Sequence, residues 1–349
     1  MERNALMNSP KITINDIARF AGVSKRTVSR VINHSDKVGE KTKELIEKLI
    51  AEHGFVPDKQ ARGLASSRSY LIGLVYDNPD ALYIDEVQRG VLSYCTKLGY
   101  ELVVHPCEYK SEHFIEEVQH FVKRSKLDGL LILPPASEVD ELGQALDEAK
   151  LPYIRLVSGS EESPHNFVMS DDKQAAFDMT EYLIELNHKK IAMITGPKVY
   201  RSSRERYHGF KAALDSKNIK LNKDYIIEGL NTYQAGTELA EVLLKLPEPP
   251  SAIFANNDEM AAGALKTAVT LGLKVPEDIS ICGFDDNLLA SRIIPALTTV
   301  RRPVKDMAFS AARKLIATIE KGSAEIINEN CTVHPKVVVR DSTTDCLKK

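Results

Sequence analysis

The sequence predicts a small all-α head, residues 11–57, joined to a larger α/β body, residues 70–341, built as two doubly wound parallel-sheet lobes. Three observations predict it. Helix start and stop signals crowd into residues 13–33. From Leu71 onward, apolar runs of strand length alternate with amphipathic stretches of helix length. Charge divides at the same place: residues 1–70 hold 13 Lys and Arg against 8 Asp and Glu, while residues 71–349 hold 33 against 41. The net charge of −3 therefore hides a basic head on an acidic body. A phosphate-binding module fused to a domain that avoids phosphate has that balance. At 349 residues the chain is also too long for one ordinary core.

In the head, Thr13 is placed to cap a helix, and Asp16 three residues on can complete a capping box. Ile14, Ile17 and Ala18 form its apolar stripe. Gly22 supplies the left-handed residue that a sharp turn requires. Ser24 caps a second helix, on which Val28, Val31 and Ile32 face inward and Lys25, Arg26, Ser29 and Arg30 face out. Such a helix fits a DNA major groove and carries donors for guanine edges and phosphates. Leu45, Ile46, Leu49 and Ile50 repeat at helical spacing and predict a third helix, ended by His53-Gly54. Pro57 then breaks the chain. Residues 58–69 are polar, and Gly63 costs a helix there about 1 kcal/mol relative to alanine. Leu64 is the apolar exception. It can pack on the body, or wedge into a minor groove.

In the body, Leu71-Val75, Leu102-Val104, Leu130-Leu133, Tyr153-Val157, Ile191-Thr195, Tyr225-Ile227, Ala252-Ala255 and Ile279-Phe284 read as buried strands. Asp85-Leu98, His113-Arg124, Asp172-Leu186, Arg204-Lys217, Gly236-Lys245 and Asp258-Leu271 read as the helices between them. So many strands exceed one typical sheet and predict two lobes. Ligands in such folds sit beyond the carboxyl ends of the strands, here the cleft between the lobes. Polar groups gather at those ends: Asp77, Ser202, Arg204, Arg206, Asn257, Asp258, Asp285 and Asp286. A polyol needs carboxylate and amide acceptors, an arginine fork and apolar walls. Arg206, Asn257 and Asp285 supply that set, while Asp258 and Asp286 read as caps. Arg155 shares a strand face with Val157. A buried arginine needs an acidic partner, either from the protein or from an anionic sugar.

Other classes are excluded. No run of 18 apolar residues exists, and Met1–Pro10 lacks a signal-peptide core, so the chain is expected in the cytoplasm and off the membrane. Cys95, Cys107, Cys282, Cys331 and Cys346 are scattered and read as reduced thiols. No metal-ligand spacing and no cofactor motif is present. A doubly wound enzyme would show G-x-G-x-x-G, a P-loop or G-x-S-x-G, and none occurs. A secreted sugar receptor suits the lobes but not the head. After Arg340 no leucine heptads remain to join dimers, so a homodimer is expected.

The head resembles the helix-turn-helix of the lactose-repressor (LacI/GalR) family of bacterial regulators. The matching words are Thr13-Ile14-Asn15-Asp16-Ile17-Ala18, Ala21-Gly22-Val23-Ser24 and Thr27-Val28-Ser29-Arg30-Val31-Ile32-Asn33, with Lys41-Thr42 and Phe55-Val56-Pro57 beyond. The resemblance implies a hinge helix over 58–69, with Ala61, Leu64 and Ala65 matching and Leu64 as the minor-groove wedge. It implies a type I periplasmic-binding-protein-like core. The N-lobe would hold about 70–169 and 302–329, including a late helix from Pro303 to Lys321, and the C-lobe about 170–297 and 330–341. The chain would cross between them three times. Arg206, Asn257 and Asp285 match the family's effector-binding words. The resemblance adds Tyr83 and Ile84 as walls, Met169 or Asp171 at the second crossing, Asn231, and Arg302 at the last. Many relatives carry an aspartate where this chain has Val157, and that departure puts a simple neutral hexose in doubt.

The function implied is a repressor of carbohydrate-utilisation genes. It would bind a palindromic operator on double-stranded DNA as a dimer, released or recruited by a small sugar-like effector. Thr13 and Ser24 set the helices on the duplex, and Lys25, Arg26 and Arg30 read bases. Thr27, Ser29 and Asn33 hold phosphates or turns. Replacing Arg30 by alanine is expected to weaken specific binding by roughly 1–3 kcal/mol. A mobility-shift titration checks this, and equal binding by mutant and parent refutes it.

Overall fold

The computed structural model describes residues 12–32, 37–55, 68–78, 80–159, 166–321 and 332–348. The chain divides between Tyr70 and Leu71 into two compact units. Asn33, Leu64 and the hinge segment through residue 67 lie outside the described residues.

The head unit has three helices: α1 (Ile14–Phe20), α2 (Lys25–Ile32) and α3 (Glu40–Glu52). The Thr13 side chain accepts from the Asp16 amide while Asp16 accepts from the Thr13 amide, so the capping box closes in both directions. Gly22 turns the chain at φ 65°. The core is Ile17, Ala18, Val28, Val31, Ile46 and Phe55. The third helix buries less than its spacing predicts. Ile46 is enclosed, but Leu45 is 45% exposed. A helix of this length in a small unit has only one face to bury.

The body's first sheet runs β2 (Glu101–Pro106), β1 (Leu71–Tyr76), β3 (Gly129–Ile132), β4 (Tyr153–Ser158), β5 (Phe167–Ser170), β11 (Thr332–Val333), all parallel. Helices α4 (Ala81–Cys95), α5 (Phe114–Ser125) and α6 (Asp140–Glu148) connect its strands, and α12 (Val304–Lys321) packs on α4, β3 and β4. This is the N-lobe. The second sheet runs β7 (Ile226–Glu228), β6 (Ile191–Thr195), β8 (Ala252–Ala255), β9 (Ser280–Cys282), again parallel. It carries α7 (Asp172–Glu185), α8 (Arg201–Ser216), α9 (Tyr233–Leu244), α10 (Asp258–Thr270) and α11 (Leu288–Arg292). An antiparallel pair, β10 (Thr299–Arg301) with β12 (Lys336–Val338), packs against α7 and completes the C-lobe. Among the described residues, no helix is long and apolar enough to cross a membrane.

The structure corrects one expected boundary. The segment from 330 was assigned to the C-lobe, but Thr332 and Val333 pair with Met169 and Ser170 in the N-lobe sheet. The last crossing therefore falls between Val333 and Lys336. A two-residue strand is too short to show alternation, so its sheet is not readable from pattern.

Each lobe is close-packed through glycine. On α9 and α10, a Cβ at Gly236 would lie 2.2 Å from the Met260 carbonyl oxygen, and one at Gly263 would lie 2.2 Å from that of Tyr233. Backbone meets backbone there, so no side chain can move aside. Gly263→Ala is expected to destabilise the body by about 1–3 kcal/mol or more through overpacking. Urea denaturation should show a lower midpoint with the slope unchanged.

Candidate ligand cleft and nucleic-acid interface

Between the lobes, the C-terminal strand ends bring four charged side chains into one cluster. Arg206 lies on the second turn of α8 and is buried. Its Nε and Nη2 donate to Asp172 Oδ2 at 3.0 and 2.9 Å. Its Nη1 donates to the Asn256 carbonyl, and the guanidinium stacks 3.6 Å from the Phe284 ring centroid. Arg302 enters from the crossing before α12, and its Nη2 lies 2.8 Å from Asp285 Oδ1. Tyr83 of α4 puts its ring under Arg302, 5.1 Å from the guanidinium carbon. Burial pushes the Tyr83 hydroxyl up to about 12, so it stays a neutral wall.

The two buried aspartates of the C-lobe respond in opposite directions. Burial pushes the Asp172 carboxyl up, but Arg206, Arg302 and the Ser170 hydroxyl more than reverse this and hold it below the usual carboxylate range. Among the described residues, no arginine pairs with Asp258. Burial and the nearby Asp285 charge push it well above that range, against donors from Thr299 and Asn287.

Backbone strain marks the same place. Asp285, Asp286 and Asn231 sit at φ 108°, 56° and 59°. Side chains held in the left-handed region cost of order 1–3 kcal/mol each and gather at functional sites. Among the described residues, three buried polar atoms beside the ion pairs have no hydrogen-bond partner: Asp285 Oδ1, Arg302 Nε and Asn256 Oδ1. The Arg302–Asp285 contact is close in distance but lacks hydrogen-bond geometry, so both groups keep capacity to spare. Two acceptors and one donor at the meeting point of two lobes suit a hydroxyl-bearing ligand.

The structure brings together Arg206, Asp285, Arg302, Tyr83 and Asn231. It also adds Asp172, Asn256 and Phe284, which the sequence reading did not choose. Of the expected pair Met169 or Asp171, Met169 is buried on β5 and Asp171 caps α7 through the Gln174 amide. Asn257 spends its amide on the scaffold, accepting from Met260 N and donating to the Asn231 carbonyl, each at 3.0 Å. Asn256 donates to Asn231 Oδ1 at 2.8 Å and keeps its own Oδ1 without a partner among the described residues. The Asp-Asp and Asn-Asn doublets are the signal: one member of each caps a helix and frees the other. Asp77 accepts from the Tyr109 amide at the N-lobe rim. Ser202 lies one helical turn before Arg206, and Ile84 is buried on α4. Arg155 lies elsewhere. It turns behind β4 to the Ser137 carbonyl at 3.2 Å and Asp140 at 3.4 Å, between the rings of Tyr153 and Phe167. Gly143 makes room for it there, since a Cβ at that position would overlap Nη2.

In the head, Lys25 and Arg26 are exposed at the start of α2, with Arg30 half-buried one turn on. Ser24 Oγ accepts from the Thr27 amide at 3.2 Å and bonds the Thr27 hydroxyl at 2.9 Å. Both hydroxyls are thereby committed to the helix start. Phe20 stacks on His53 at 4.5 Å and carries the Arg19 guanidinium over its ring.

The family model described as "Bacterial regulatory proteins, lacI family" matches residues 13–58, and that for a periplasmic binding protein-like domain matches 180–343. The chain is 32% identical to the probable HTH-type transcriptional repressor ExuR of Bacillus subtilis, over 95% of this chain and 100% of that one. It belongs to the lacI family of bacterial regulatory proteins. The HTH-type transcriptional repressor PurR of Vibrio vulnificus is 33% identical over 95% of this chain and 98% of its own. Among solved structures, the Lac repressor dimer bound to operator and the anti-inducer ONPF superposes with a TM-score of 0.75 at 27% identity, covering 96% of this chain and 100% of that one. The transcriptional regulator CelR in complex with cellobiose gives 0.70 at 29% identity, covering 95% and 99%. The helix-turn-helix head and periplasmic-binding-like body expected from the sequence are thus the architecture of the lacI family.

Asp172 is the carboxylate on which the cluster rests. Asp172→Ala would remove both side-chain hydrogen bonds of buried Arg206 and leave only Asp285, 3.5 Å from its Nη2, to balance its charge, and is expected to cost about 3–5 kcal/mol of stability. The sign with pH follows from the lowered carboxyl. In the parent, this contribution is present at neutral pH and lost as pH falls through and below the ordinary carboxylate range. Denaturant titrations of parent and variant at several pH values should converge in acid.

Proposed function

We propose that this protein is an effector-gated repressor of carbohydrate-utilisation genes, a binding protein rather than an enzyme, which docks on a near-palindromic operator as a homodimer. The observation that carries this reading is the cleft's set of buried, unpartnered polar atoms on Asp285, Arg302 and Asn256, in one chain with a capped helix presenting Lys25 and Arg26. The printed names of the relatives support it. Both sequence relatives are transcriptional repressors, and the structural relatives hold operator DNA or sugar-type ligands.

Two heads per complex place two α2 helices in successive major grooves, with Arg30 on a guanine edge and Lys25 and Arg26 choosing bases within each half-site. Thr13, Ser24 and Thr27 set the helices that carry them, Ser29 and Asn33 reach phosphates, and Leu64 enters the minor groove.

In the body, a hydroxylated effector donates to Asp285 and Asn256 and accepts from Arg302. Tyr83 and Ile84 wall its apolar face, and Asn231 and Ser202 line the C-lobe side. Arg206 holds the C-lobe groups in place. With Arg155 turned away, the cleft's arginines are balanced by Asp172 and Asp285, and this supports a neutral, hydroxyl-rich effector. Effector and operator binding are coupled reciprocally, each changing the other's affinity by the same factor.

Asp285→Ala is expected to keep operator affinity within about threefold, under the 1.4 kcal/mol that a tenfold change represents, and to abolish the effector response. The check is an operator titration across a panel of neutral mono- and disaccharides and hexuronates. Loss of operator binding by the variant, or a response at the parent's sugar concentration, overturns the assignment.

A further inference from the structure

A second set of bonds joins the lobes away from the charged cluster. The turn Ala136–Glu138 follows β3 in the N-lobe. Helix α8 of the C-lobe begins at Arg201, and its own N-cap residue, Tyr200, supplies no side-chain cap. Glu138 supplies one from the other lobe. The Arg201 amide donates to Glu138 Oε1 at 2.8 Å and Oε2 at 2.9 Å, and Arg204 Nη2 lies 3.6 Å from Oε2. The carboxylate meets both an orphan helix amide and the positive end of the helix dipole. Its side chain is only 15% exposed, so these bonds are partly shielded from water.

The turn that carries Glu138 is itself pinned. Arg155 Nη1 donates to the Ser137 carbonyl at 3.2 Å, and the Ser137 hydroxyl donates to the Leu156 carbonyl at 2.9 Å. Beside it, Gly159 leaves space for the Arg201 guanidinium, since a Cβ there would lie 3.0 Å from Nη2. The Tyr200 hydroxyl reaches the Asp77 carbonyl at 3.4 Å, a further contact between the lobes. Five residues beyond the clamped amide, the same helix carries Arg206.

We propose that Glu138, held by Arg155 and Ser137, is a positioning residue that clamps α8 across the lobes, keeping the cleft closed and Arg206 at its working height before any ligand arrives. This rests on the cleft being the ligand site. Its consequence is that a ligand meets a preformed pocket and spends little affinity on closing it.

Backbone hydrogen exchange on the full chain, with neither DNA nor sugar present, tests the clamp separately from the operator assignment. Opening of the clamp exposes the Arg201 amide. Glu138→Ala is expected to speed exchange in the 201–204 segment about tenfold or more, the effect of losing a hydrogen bond to a charged group. The Met260 amide, bonded to Asn257 within the C-lobe, should be unchanged and serves as the internal control. Glu138→Asp keeps the charge but is shorter by one C–C bond of about 1.5 Å, so it should behave like the alanine variant. Glu138→Gln keeps an acceptor oxygen at full reach and should retain most of the protection. Unchanged exchange at 201–204 in the alanine and aspartate variants overturns the proposal. So does an increase spread evenly over the C-lobe, or a glutamine variant no better protected than aspartate.

Discussion

The body is organised around one buried charge pair. Arg206 and Asp172 come from different helices, α8 and α7, and neither tolerates burial without the other. Their two bonds, which converge on Asp172 Oδ2, tie those helices together. The remaining guanidinium nitrogen holds the Asn256 carbonyl, and so the end of β8. With Arg206 satisfied by the scaffold, Arg302 and Asp285 are left paired only in distance, with hydrogen-bonding capacity unspent. The division of labour is electrostatic: one arginine is structural, and the other is available.

The fold is legible because its signals are local and repeated. The capping box at Thr13 and Asp16 and the Gly22 turn follow from residue chemistry within three or four positions. The alternation of buried strands and amphipathic helices extends over the whole body. What escapes is short. Strand β5 spans Phe167–Ser170, β10 spans Thr299–Arg301 and β11 spans Thr332–Val333. Runs this short carry no period; β3 and β8 are readable through the continuous apolar runs that hold them, whereas the sheets of β5, β10 and β11 are chosen by partners far along the chain.

The site is half legible for a related reason. Arg206, Asp285, Arg302 and Tyr83 could be named from the sequence through the family's words. Which of two adjacent acids or amides caps the helix and which joins the charged cluster could not, because either is an equally good cap and only the packed backbone decides. Arg155 is instructive. Its need for an acidic partner was readable and Asp140 meets it at 3.4 Å, but the Ser137 carbonyl at 3.2 Å was not, since no side-chain pattern announces a carbonyl. Arg155 thus serves the N-lobe scaffold, tying β4 to the turn at Ser137 and to Asp140.

The passage of the chain between lobes has a consequence for biosynthesis. Helix α12 and strand β11 complete the N-lobe, yet they follow the whole of the second sheet in sequence. A ribosome therefore releases the second lobe's strands β6–β9 as an uninterrupted stretch while the first lobe still lacks the helix that covers α4, β3 and β4. The lobe begun first is closed only when all of the second but its final strand, β12, has been made. A nascent chain halted before Val304 would expose that uncovered apolar surface, a form that chaperones and proteases are suited to recognise.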